Sequence, residues 1–115
     1  MKKVYYLKSC STCQRILKEW NLDESVILQN IKVDKMTSEQ VDEMIKLAGS
    51  AERLFSRKAM KYRAMGLHEK TLTEKDYRQL IIDEYTFLKR PVLILEDQIF
   101  IGNSKAVVAE AKAAL

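Results

Sequence analysis

The chain has 115 residues, 47% of them hydrophobic and 31% charged, with one proline and three glycines. That is enough for one domain with a real hydrophobic core, and it leaves no low-complexity linker. A net charge of +4 suits an anionic substrate or partner without arguing for nucleic acid, and the apolar run Val92–Leu95 is far too short to span a bilayer.

The chain opens on Met1-Lys2-Lys3 and a short apolar stretch that Lys8 interrupts. This is too little for a secretory leader, so the expected compartment is the cytoplasm, with no membrane association. Lys3–Lys8 reads as a first strand covered on both faces, since Val4, Tyr5, Tyr6 and Leu7 run almost without a break. A helix is expected over Thr12–Trp20, burying Ile16, Leu17 and Trp20. After a connection at 21–25, Ser25–Val33 is the expected second strand, with Ile27, Ile31 and Val33 alternating inward and Gln29 breaking the alternation. A strand–helix–strand unit of this length implies a parallel pair with a right-handed crossover.

Between the first strand and the first helix lie the only two cysteines, in Cys10-Ser11-Thr12-Cys13. In a reducing compartment such a pair points to redox catalysis or sensing more than to a structural staple. Residues i and i+3 of a helix are about 5–6 Å apart at Cβ, close enough to close a disulfide. If the helix starts near Ser11–Cys13, Cys10 faces its free N–H groups and the positive end of its dipole, which favours the thiolate. Lys8 and Arg15 are candidate cations beside it. Cys13, one turn in, is the expected resolving thiol. Two cysteines and one distant histidine cannot make a tetrahedral zinc site, so no metal is expected.

Further on, Thr37 or Ser38 caps a helix with Val41, Met44, Ile45 and Ala48 on its inner stripe, and Gly49 ends it. Ser50–Met65 is expected to be helical again, in one or two pieces, with the methionines at 36, 44, 60 and 65 spaced for packing. Thr73 and Asp76 begin a further helix whose buried face runs through Leu80, Ile81, Tyr85 and Leu88, with Leu72 and Tyr77 as a staple. Pro91 leads into the apolar strand Val92–Leu95. A tight turn at Glu96-Asp97-Gln98 joins it to a last strand, Ile99–Ile101. Ser104 closes the break before a final helix that buries Val107, Val108, Ala111 and Leu115. The order is β–α–β, a helical insert, then β–β–α, and the thiols lie at the carboxyl end of the first strand, where parallel sheets gather functional groups. The basic run Arg53, Arg57, Lys58, Lys61, Arg63 reads first as a solvated face, and the lone His68 is given no catalytic part.

Together, Cys10-Ser11-Thr12-Cys13 with Arg15, Leu54-Phe55-Ser56-Arg57-Lys58 followed by Tyr62–Leu67, Leu88-Lys89-Arg90-Pro91-Val92 and Gly102-Asn103 resemble the arsenate reductase ArsC/Spx/YffB family. The resemblance covers nearly all the chain. It implies an α/β, thioredoxin-like (glutaredoxin-like) fold: a mixed four-stranded sheet in one domain, residues 1–115, with a helical insertion at about 37–88 between the β–α–β and β–β–α halves. It also implies that Cys10 is the nucleophile, that Pro91 is a cis-proline facing it, and that Arg90 and Arg57 hold an oxyanion. Ser11, Thr12 and Arg15 then join Pro91 around the substrate. The expected function is a thiol-dependent oxidoreductase related to glutathione- and glutaredoxin-linked arsenate reductases. It would act on a small oxyanion or a thiol/disulfide substrate, bind no cofactor, use glutathione as a co-substrate, and have glutaredoxin or thioredoxin as a partner.

Two departures qualify this expectation. The third arginine of those reductases falls at about Gly102, and no arginine follows Arg90. Cys13 is a feature shared with the Spx branch, whose Cys-x-x-Cys is a redox switch in a regulator that binds RNA polymerase. That regulator is the alternative reading.

Overall fold

The computed structural model describes residues 1–115, which form two compact units. The first comprises Met1–Lys35 and Arg90–Leu115; the second is the continuous stretch Met36–Lys89, within a residue of the expected insert at each end.

The first unit is a four-stranded mixed sheet in the order β2-β1-β3-β4. Its strands are β1 (Lys2–Tyr6), β2 (Val26–Asn30), β3 (Val92–Leu95) and β4 (Gln98–Ile101). β1 runs parallel to β2, as expected for a strand–helix–strand crossover, and antiparallel to β3. β3 and β4 form a hairpin whose turn is only Glu96-Asp97, so Gln98 belongs to the strand and pairs with Leu95. The two helices of this unit are α1 (Ser11–Trp20) and α5 (Lys105–Ala114).

Val4, Val26, Leu93 and Leu95 form one apolar surface with Ile16 and Trp20 of α1 and Val108 and Ala111 of α5. The alternate positions Tyr5, Val92 and Ile94 are buried too. The central strands β1 and β3 are therefore apolar on both faces, which is why their sequences read as continuous runs. Trp20 also carries a polar link: its indole N–H donates to the Val108 carbonyl at 3.1 Å in a buried setting.

Three expectations for this unit need correction. The second strand stops at Asn30, because the Asn30 carbonyl accepts the N–H groups of Val33 (3.1 Å) and Asp34 (2.8 Å) and turns the chain. Ile31 is buried as expected, but Ile27 and Val33 are exposed and Gln29 is buried. Gln29 is accommodated because its side-chain amide donates to the Asp34 carbonyl at 3.0 Å. Leu115 is exposed, since it lies beyond the last turn of α5.

The second unit holds α2 (Ser38–Ala48), α3 (Met60–Ala64) and α4 (Glu74–Asp83). Thr37 and Gln40 form a reciprocal capping box on α2, and Thr73 and Asp76 another on α4. Gly49 takes the left-handed conformation that ends α2, at φ 93°. Arg78 of α4 reaches Asp42 of α2 through two hydrogen bonds of 2.6 and 3.1 Å.

The expected helix over Ser50–Met65 does not form as such. Glu52–Leu54 is a single 3-10 turn, followed by extended chain and the short α3. The Glu74 carboxylate accepts the N–H groups of Ala51 (2.6 Å) and Glu52 (3.2 Å). Phe55 pairs with Leu88 across an antiparallel bridge, flanked by Ser56 N–H to Phe87 and Lys89 N–H to Leu54. These bonds take the backbone groups that a longer helix would need. They also seat Phe55, wholly buried, against Phe87 (5.0 Å between ring centres), Tyr77 (4.9 Å) and Tyr62 (6.0 Å).

Met36 and Met44 are buried, but Met60 and Met65 are exposed, because α3 has no buried residue at all. α4 ends at Asp83 and gives way to a 3-10 turn over Tyr85–Phe87, which buries Phe87 and leaves Tyr85 half-buried. No helix is long and apolar enough to cross a membrane.

Replacing Trp20 by Phe keeps most of the apolar contact but loses the indole N–H. We expect a loss of about 1–2 kcal/mol, read as a lower urea midpoint with an unchanged slope.

Candidate active site

The strand β1 delivers the chain to Leu7, where a turn closed by Cys10 N–H to the Leu7 carbonyl (3.0 Å) reverses it into α1. Two side-chain amides hold that turn. Asn30, the last residue of β2, accepts the Lys8 N–H at 3.3 Å through its Oδ1. Gln14, one turn into α1, donates its side-chain amide to the Lys8 carbonyl. Neither amide stood out as functional in the sequence. The available signal was a polar residue closing an apolar strand, and a glutamine inside the cysteine motif.

Cys10 occupies the N-cap position of α1, with an extended backbone (φ −88°, ψ 116°). Its carbonyl accepts the Gln14 N–H at 3.1 Å and so starts the helix. No side-chain oxygen caps this helix and no acidic residue lies in its first turn. The free N–H groups and the dipole are therefore directed at the sulfur. Both cysteines are free thiols; Cys10 is partly exposed and Cys13 is buried, at 0% exposure.

The two sulfurs are pushed in opposite directions. For Cys10, partial burial works against ionisation and is outweighed. The Cys13 and Thr12 N–H groups, the Cys13 thiol and the positive charge of Arg90 all favour the thiolate, so the thiol is held below its ordinary value. For Cys13, burial dominates and the charge developing on Cys10 adds to it; a backbone hydrogen bond at Leu7 and the Arg90 charge oppose them only in part. The Cys13 thiol is pushed up to about 11.

Arg90 is half-buried, and its Nη1 is fully buried without a hydrogen-bond partner. The Arg90–Pro91 peptide is cis, and Pro91 is buried. The Pro91 carbonyl accepts the N–H of Gly102 at 2.9 Å. Gly102 sits at φ 91°, a conformation that side chains rarely adopt, so an arginine there would be strained. Ser11 is exposed and Thr12 half-buried at the first positions of α1, and Arg15 and Lys8 are exposed. Arg90 is a cation that acts on the Cys10 sulfur.

Arg57 belongs to the second unit. Its guanidinium donates to Glu52 at 2.6 Å and to the Tyr77 hydroxyl at 2.9 Å. The other cations of the basic run behave variously: Arg53 donates to the Ala48 carbonyl and Lys61 pairs with Glu84, while Lys58 and Arg63 are exposed. His68 lies beside Glu69, and its ring is 6.3 Å from that of Tyr62.

Two consequences can be measured. With Cys13 replaced by Ser, the thiolate absorbance of Cys10 is expected to titrate below the ordinary thiol range. Adding Asn30→Ala, which releases the Lys8 turn, moves that titration to higher pH; an unchanged midpoint would show that the amide does not position Cys10. For Cys13, the raised value means that the folded protein prefers the neutral thiol. Its contribution to stability is complete below the ordinary thiol pKa of 9.0 and is lost as pH rises toward about 11. Urea midpoints of the reduced protein should fall across that window, and less steeply in Cys13→Ser.

A model of the ArsC family matches residues 5–111. Among solved structures, a Yersinia pestis protein provisionally named an arsenate reductase superposes with a TM-score of 0.76 at 19% identity, over 96% of this chain and 99% of that one. An arsenate reductase from Vibrio cholerae gives a TM-score of 0.77 at 14% identity, over 95% of each chain. A Staphylococcus aureus protein solved in solution gives 0.73 at 26% identity, over 96% of this chain and 97% of that one. No curated protein matches the chain in sequence. The neighbours establish the thioredoxin-like fold of ArsC proteins, and the match over residues 5–111 places this chain in the ArsC family.

Proposed function

We propose that this protein is a thiol-dependent oxidoreductase in which Cys10 is the nucleophile and Cys13 the resolving thiol. The observation that carries this reading is the opposite tuning of two neighbouring sulfurs: a partly exposed one favoured as thiolate and a buried one kept protonated. A nucleophile must be ionised and reachable, whereas a resolving thiol must stay inert until its partner has reacted.

The reaction is written for a disulfide substrate. The Cys10 thiolate attacks one sulfur, the substrate S–S bond breaks, and the departing thiolate takes a proton from solvent. A mixed disulfide then joins Cys10 to the remaining half of the substrate. This removes the negative charge on Cys10 that held the Cys13 thiol up, so Cys13 can ionise and attack the Cys10 sulfur. The second half leaves as a thiol, and the Cys10–Cys13 disulfide holds the oxidising equivalents. Two electrons have passed from the dithiol to the substrate. Glutathione, or a dithiol protein such as glutaredoxin or thioredoxin, returns them.

Arg90, whose charge already acts on the Cys10 sulfur, stabilises the anionic groups of the substrate and the thiolate leaving group. The exposed start of α1 at Ser11 and Thr12, with Pro91, completes the proposed binding surface. Arg15, at the exposed rim, offers a further charge. Arg57 belongs to the second unit and commits its guanidinium to Glu52 and Tyr77, so the proposed mechanism does not use it. Gly102 favours a disulfide over arsenate as substrate, because its backbone conformation leaves no place for a third arginine. The same feature, with Cys13, keeps a second reading in view: a redox-sensing regulator of the Spx kind, binding RNA polymerase through a surface that the disulfide alters.

The test is turnover of a glutathione mixed disulfide with glutathione as reductant. Cys10→Ser should abolish it, and undiminished turnover would remove this mechanism. Arg90→Ala should lower kcat/KM by about tenfold to a hundredfold, the loss of one charge-assisted hydrogen bond. If the wild type forms and loses the Cys10–Cys13 disulfide reversibly but turns over neither this substrate nor arsenate, the regulator reading replaces the enzyme.

A further inference from the structure

The outer edge of β2 carries a second, independent message. β2 is a terminal strand of the sheet, so it has a strand neighbour on one side only. The Ile31 N–H donates to the Tyr6 carbonyl at 3.0 Å, toward β1. Main-chain groups alternate sides along a strand, so residues 27, 29 and 31 face β1, while Val26, Leu28 and Asn30 present theirs outward. Two of these outward groups are already engaged. The Val26 N–H donates to Asp23 at 3.3 Å, and the Asn30 carbonyl accepts from Val33 and Asp34. What remains is both groups of Leu28, the carbonyl of Val26 and the N–H of Asn30.

That remainder is complementary to itself. We propose that two copies of this chain pair antiparallel along β2, with Leu28 on the two-fold axis. In this register Leu28 exchanges both main-chain bonds with the partner's Leu28. The Asn30 N–H meets the carbonyl of the partner's Val26, and the symmetric bond returns. No other register uses the free groups and spares the engaged ones.

The side chains agree. The strand Val26–Asn30 contains no charge and no proline, the features that normally guard an edge, and Ile27 and Leu28 are 53% and 50% exposed. The opposite edge, β4, is half-buried past Gln98. Charge selects the partner. Asp23 and Glu24 precede β2, and Lys32 and Lys35 follow it, with Asp34 between them. Antiparallel pairing brings the turn before β2, which carries Glu24, toward the turn after the partner's β2, which carries Lys32, twice by symmetry. Neither Glu24 nor Lys32 takes part in any of the chain's ion pairs. A strand uniformly acidic or basic would be repelled at one end, whereas a second copy satisfies both.

Sedimentation velocity on the full chain, from micromolar to near-millimolar concentration, tests this. The wild type should dimerise with rising concentration. Glu24→Lys and Lys32→Glu should each weaken the dimer by about tenfold or more, since each turns two attractions into two repulsions. Mixing these two variants should restore association, because both charge pairs are then opposite in sign. Leu28→Pro should abolish pairing while keeping the β1 ladder, since the lost N–H points outward. Thermal melts of each variant verify that it is folded. A wild type monomeric throughout the range would overturn the proposal, as would a dimer indifferent to Glu24→Lys or two variants that fail to associate when mixed.

Discussion

Everything chemical in this protein depends on where α1 begins. A helix start leaves N–H groups without partners, and most helices cover them with a serine, threonine or acidic side chain. Here the capping position is given to a sulfur. The helix gains a partner for its N–H groups only to the extent that the sulfur is ionised, so the backbone itself stabilises the thiolate. Cys13, one turn further, falls on the inner face with Ile16 and Trp20 and is wholly buried. One helical turn thus places two identical side chains in opposite dielectric settings. Arg90 acts on both sulfurs from the start of β3, which strengthens the contrast for Cys10 and only tempers it for Cys13.

Much of this was legible in the sequence. The cysteine spacing, the apolar run before it and the helical stripe after it suffice to derive a strand, a helix start and a first thiol facing that start. The hairpin follows from the turn after Leu95, and the starts of α2 and α4 from a cap at Thr37 or Ser38 and from Thr73 with Asp76, in the same way. These are local signals, in which the residue that sets the structure lies within a few positions of the structure it sets.

The parts that were not legible depend on distant partners. The stretch after Ser50 has helical composition, yet Glu74 and the Phe55–Leu88 bridge claim its backbone. Nothing near residue 50 announces that. Gln29 breaks an apolar alternation and is nonetheless buried, because Asp34 turns back to meet its amide. The methionines of α3 match a packing pattern in spacing only, since a five-residue helix with no buried residue has no inner face to serve. In the site, the clamp on Lys8 joins residues from β2 and α1, and the burial of the Arg90 Nη1 is a fact of three dimensions. The resemblance names Arg90 and Pro91; what it does not give is that Gly102, hydrogen-bonded to the Pro91 carbonyl, holds a positive φ at which an arginine would be strained.

The strand order has a consequence for how the chain comes into being. β1 pairs with β2 across about one helix of sequence, but its other neighbour, β3, arrives only at Val92, with Tyr5 facing Val92 and Val4 facing Leu93. On the ribosome, the second unit, Met36–Lys89, is available as an uninterrupted piece before that strand has been made. Until then β1 is itself an open edge, and the thiols sit on a sheet that lacks its middle. Arg90, at the junction where the chain returns to the first unit, is made about eighty residues after Cys10. The Arg90 charge that favours the Cys10 thiolate is therefore the last contribution to arrive: the helix start can form early, but its charged neighbour comes only when the fold is closed.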